Sequence, residues 1–160
     1  MALASELQTR MGIVATMRLV TGIGAVYPRV RRPIKEGTDA EYKKLYVDED
    51  GKVNFWSVRR VQRVPVVTEF NHLVSVTQVY SLVGHFGVVD DDDDALASEA
   101  VFQLMIEEMA KKFDENLNLG GLGGVSHRGL AVPNDITDVL LGAYLCHRSE
   151  CRLIVEVEDC

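Results

Sequence analysis

No stretch of this sequence approaches the run of about 18 apolar residues that a membrane-crossing helix needs, so no helical span is expected. A basic excess is also missing. Lys and Arg number 17 against 24 Asp and Glu, a formal net charge of −7. That balance argues against a surface built to neutralise nucleic-acid phosphates, though not against a protein that DNA merely passes. Cysteine is scarce. Cys146, Cys151 and Cys160 are an odd number gathered near the C-terminus. The first residues, MALASELQTR, show no basic region followed by an apolar core, so no secretory signal is expected. Reduced thiols in a cytoplasm are the expectation.

Recognisable chemistry is equally thin. Gly120, Gly121, Gly123 and Gly124 suggest a phosphate loop, but they follow a helical pattern and no Gly-Lys-Ser/Thr comes after them. A loop or arm is expected instead. Asp90, Asp91, Asp92, Asp93 and Asp94 lack the alternate ligand spacing and the turn glycine of a calcium loop. The histidines are His72, His85, His127 and His147. His147 beside Cys146, with Cys151 five residues on, comes nearest to a metal constellation. Neighbours in a strand point to opposite faces, so the pair is not expected to hold one ion. No metal, cofactor or catalytic residue is therefore assigned. A small enzyme with a Cys146/His147 centre stays as a distant alternative without an activating context.

What is present is organised around residues 87–121, an acidic turn, an amphipathic helix and a glycine stop. The five aspartates crowd the helix start, where carboxylates oppose the positive end of the macrodipole and can cap free N–H groups. Ala97, Val101, Leu104, Met105, Met109 and Phe113 recur at helical spacing. Over residues 95–115 the helix would be about 30 Å long. Phe102 is expected in the core.

Earlier in the chain, Ser5 and Gln8 have capping-box spacing, so a first helix should begin near Glu6. Leu7, Met11, Val14 and Met17 would be its buried stripe, widened by Ile13 and Val20. A short strand over 25–27 follows the Gly22-Ile23-Gly24 stop. Residues 29–51 look like an excursion, with a short helix over 36–46. Residues 52–64 alternate as a strand until Pro65, and 66–86 form a second strand, with a hairpin connection at 64–69. Residues 120–135 are patternless. Residues 134–142 fit either a helical turn or the start of a strand. Residues 143–158 form the clearest strand, with an apolar face of Leu145, Cys151, Leu153, Val155 and Val157. One domain over 1–160 is expected. The fold class is α+β, a mostly antiparallel sheet of about four strands with two helices packed on one face.

The candidate contact residues are charged clusters and one aromatic. Arg29, Arg31 and Arg32 form one basic group, and Arg59 and Arg60, with Arg63, form another. Either can meet the Asp90–Asp94 run on a neighbouring copy. Trp56, the only tryptophan, is either core or a contact anchor.

The order of these pieces resembles the tail terminator family, small neck proteins of long-tailed bacteriophages. The resemblance rests on Gly22-Ile23-Gly24 after the first helix and on Phe55-Trp56-Ser57-Val58-Arg59-Arg60. It continues with an aromatic strand from His72 through Tyr80 to Gly87 and Asp90. Phe102 and Leu119-Gly120-Gly121 come next, then Cys146-His147 opening a strand that ends Val155-Glu156-Val157-Glu158. It covers most of the chain. The five-aspartate run and the 120–135 loop depart from the pattern. The resemblance implies a virion protein of the neck, made in the host cytoplasm, that forms a ring, usually a hexamer. The ring would cap the capsid-proximal end of the tail tube, end its polymerisation and offer the head-docking surface. Its implied partners are further copies of itself, the tail tube protein and a head-completion or connector protein. Genomic DNA would pass through the lumen without specific binding, and no membrane is involved. A head-completion adaptor, a tail tube protein and a regulatory binding domain are the other readings.

Overall fold

The computed structural model describes residues 4–31, 39–67, 70, 72–89, 93, 97–132 and 135–158. Along the described chain the elements are α1 (Glu6–Met17), β1 (Ala25–Tyr27), α2 (Asp39–Tyr46), β2 (Asn54–Val67), β3 (Leu73–Gly87), α3 (Ser98–Asp114), β4 (Val125–Ala131), β5 (Thr137–Leu141) and β6 (Tyr144–Glu158). The sheet order is β1-β2-β3-β6-β4, and β5 pairs with β6 beside β4. Only β1 runs parallel to its neighbour. The fold is thus α+β with a mostly antiparallel open sheet. It has six strands and three helices among the described residues, where about four and two were expected.

The extra elements have identifiable causes. β4 hides in the glycine-rich stretch expected to be a loop or arm. Its alternation breaks at a register shift between His127 and Leu130, where Gly129 sits at φ 96°. Glycine is the residue that takes this conformation without a Cβ penalty. β5 resolves an ambiguous stretch, because its partner β6 supplies the pairing that five residues cannot supply alone. In the 29–51 excursion, α2 forms as expected; residues 32–38 lie outside the described residues.

Two boundaries move. β2 runs through Pro65 to Val67, so the hairpin connection falls after 67 instead of at 64–69. β1 flanks β2 only from Phe55 to Ser57, and a proline survives on an edge where its missing N–H faces outward. α3 begins at Ser98, with Ala97 as N-cap and no side-chain cap bond. The N-cap position is thus held by Ala97 and not by an aspartate, and the first helical turn carries Glu99. Asp90, Asp91, Asp92 and Asp94 lie outside the described residues.

α1 does have its capping box. Ser5 Oγ accepts from the Gln8 N–H at 3.1 Å, and Gln8 Oε1 accepts from the Ser5 N–H at 2.8 Å. The buried faces of both helices are rotated from the expected stripes. α1 buries Ile13, Val14 and Met17 but exposes Leu7 and Met11. α3 buries Phe102, Met105, Ile106, Met109 and Phe113 but exposes Leu104. These two helices pack on one face of the sheet, over Trp56, Val58, Tyr80, Leu82, Leu153 and Val155.

Strand alternation gives the sheet a second core. Phe55 and Trp56 are adjacent, so they face opposite ways. Trp56 joins the main core and tilts against Phe102 at 5.8 Å. Phe55 joins a smaller cluster with Tyr46 at the end of α2, Val53 and Cys146. There it stacks between Tyr46 at 4.7 Å and His85 at 4.9 Å.

Trp56 lies directly across from Gly84. A Cβ on Gly84 would come within 2.4 Å of the indole ring. Gly84→Ala should therefore cost about 1–3 kcal/mol or more by overpacking, measured by urea denaturation. An unchanged midpoint would show that the indole has room to move.

Candidate functional site

The outer part of β2 is an uncovered edge of the sheet among the described residues. After Ser57 no other strand pairs with its free edge among the described residues. Val61, Val64, Val66 and Val67 are exposed along it, and Phe70 at the hairpin tip is 91% exposed. Arg59 is exposed and Arg60 half-buried. From Arg59 to Val67 the strand reads RRVQRVPVV, three positive charges and no negative one. This is a continuous strip of open backbone, apolar side chains and arginines. Such edges pair with other chains unless something blunts them.

At the other end of the same strands lies an apolar groove of about 770 Å³. Its walls include Val53 and Asn54 before and at the start of β2, Val88 and Val89 after β3, Leu145, and Val101, Leu104 and Met105 of α3. Leu104, Leu145 and Val89 are each about half-exposed or more. Asp48, Glu108 and Lys52 also line it.

Beneath the groove three side chains form one hydrogen-bonded line. Asp138 Oδ1 lies 2.7 Å from His147 Nδ1, and His147 Nε2 lies 2.8 Å from Ser98 Oγ. Ser98 Oγ also accepts from the Val89 N–H at 2.8 Å, while the Ser98 N–H donates to the Val89 carbonyl at 3.0 Å. The order of groups is that of an acyl-transfer relay. Here, however, the serine is buried and its hydroxyl is committed to a backbone donor. The line fastens β5, β6, the start of α3 and the end of β3 together. Sequence reading missed it, because Asp138 faces His147 only through the β5–β6 register.

The Cys146/His147 pair is not assembled. His147 lies on the main-core side, 6.4 Å from the Phe102 ring, and Cys146 lies in the second cluster. Burial pushes the Cys146 and Cys151 thiols up to about 11, away from the reactive thiolate. No group of three or more His, Cys, Asp or Glu side chains among the described residues could hold a metal ion.

The other contact candidates scatter. The Arg31 guanidinium sits 4.9 Å over the Tyr27 ring, and Arg29 is exposed. Asp93 is exposed, and Arg32 lies outside the described residues with Asp90, Asp91, Asp92 and Asp94. Trp56 is fully buried, so of its two readings it takes the core. Arg59, Arg60 and Arg63 all lie on β2, but Arg59 stands across from Ser81 on the reverse face, while Arg60 and Arg63 stand across from Tyr80 and Gln78 on the side of Trp56. Compared with models of known families and with curated proteins, the chain matches none.

Two polar residues make this region sensitive. Removing the Ser98 hydroxyl leaves the Val89 N–H and His147 Nε2 without partners. Ser98→Ala should cost about 1–3 kcal/mol, read by thermal melting; a neutral change would show that water replaces the hydroxyl. His85 is pushed down from 6.5 to about 4, first by burial and then by Arg148. Between those two pH values the unfolded chain binds the proton and the folded chain does not. Stability should therefore fall as pH drops from about 6.5 towards 4. His85→Phe should flatten that slope in urea midpoints compared at pH 7 and pH 5. An unaltered slope would assign it to other groups.

Proposed function

We propose that this protein is a structural component of a phage neck, a ring of identical subunits that caps the head-proximal end of a tail tube. The observation that carries the reading is the bare β2 edge. Among the described residues it combines backbone that no further strand pairs, exposed valines and three arginines, in a chain whose net charge is −7. A surface of this kind is suited to another polypeptide and not to a small substrate. The remaining support is the resemblance of the chain to tail terminators, from Gly22-Ile23-Gly24 through Phe55-Trp56 to Cys146-His147. In this reading catalysis has no part, and binding geometry is everything. The tube protein meets one face of the ring and a connector or head-completion protein the other. A lumen lined mostly by carboxylates repels DNA phosphates and lets the genome slide. An adaptor on the head side or a tube subunit would use the same edge; position in the particle separates them.

Electron microscopy of tails assembled without this protein tests the reading. Overlong or headless tails are the expected outcome. Normal virions would overturn it, and label along the whole tail in wild-type particles would assign the chain to the tube.

A further inference from the structure

We infer that the β2 edge and hairpin tip of one copy seat in the apolar groove of the next copy. This inference rests on the ring reading and names the surfaces that would build the ring. Three observations point to it.

The first is distance. The groove begins at Val53 and the exposed edge ends at Val67, along one strand. At about 3.3 Å per residue the two ends are roughly 45 Å apart. A single chain cannot bring them together, so contact between them is necessarily between copies. The surfaces differ, so the contact is head-to-tail, the type that closes into a ring when the rotation allows.

The second is shape and polarity. The groove offers Val89, Val101, Leu104, Met105 and Leu145. The edge offers Val64, Val66, Val67 and Phe70, all exposed. Each surface is apolar, and each is uncovered among the described residues.

The third is charge. Residues 59–67 carry +3. With the whole chain at −7, the rest of the sequence carries −10, the difference of those two sums. Asp48 and Glu108 line the groove against one cation, Lys52. A basic strip therefore meets a groove whose charged rim is on balance acidic. Two copies joined edge to edge would instead bring their two arginine groups towards one another.

The test is crosslinking of the full chain in a Cys160→Ser background. Phe70→Cys and Leu104→Cys are combined in one polypeptide, and both sites are exposed, so the core is untouched. Mild oxidation should give a ladder of covalent oligomers, whereas either single variant stops at dimers. Leu104→Asp and Arg59→Glu/Arg63→Glu should each raise the half-assembly concentration about tenfold or more in sedimentation. Joining Arg59→Glu/Arg63→Glu with Glu108→Arg should recover part of that loss. If the wild-type chain forms a ring but the double variant gives no ladder and Leu104→Asp assembles normally, the groove is not the acceptor, while the ring reading stands. A wild-type chain that stays monomeric at every concentration would overturn both.

Discussion

The ladder on either side of β3 is the constraint on which everything else depends. β3 pairs with β2 from Leu73 to Phe86 and with β6 from Ser75 to Gly87. The two partners come from opposite halves of the chain. Once both are in register, alternation decides which residue goes to which side. Trp56, Tyr80 and Leu153 fall beneath the two long helices, and Phe55, His85 and Cys146 fall on the reverse. A slip of one residue would turn both cores inside out. Gly84 is what lets the register close around the indole, since any larger side chain there would occupy the ring's own space.

Much of this was readable from sequence where a local signal existed. The capping box located α1, and period two located β6 and the start of β2. The direction of the helical stripes was harder. Leu7, Met11 and Leu104 are apolar yet exposed, and Thr9, Thr16 and Ser98 are polar yet buried. Thr9 and Thr16 satisfy their hydroxyls on carbonyls one turn back, so burial costs them little. Hydrophobicity alone does not see that. β4 and β5 were illegible for a different reason. Their identity comes from the β6 edge they share, a long-range partner that no short window contains.

The candidate site divides in the same way. The arginines of β2 were visible as a basic run, although alternation sends Arg59 to one face and Arg60 and Arg63 to the other. The groove and the Asp138–His147–Ser98 line were invisible, since they assemble from α3, β5, β6 and the end of β3. The Cys146–His147 dipeptide shows the same division. It is adjacent in sequence and divided by the sheet.

Pro65 has a consequence beyond its effect on the strand boundary. It sits in the middle of the open stretch of β2 and brings no amide proton. A foreign strand laid along that border meets a gap in the row of donors, so indiscriminate annealing is interrupted after a few residues. Selection then falls on side-chain fit instead of on backbone stickiness. A polypeptide that accumulates at high local density can in this way recognise its own kind without running on into cross-β fibres.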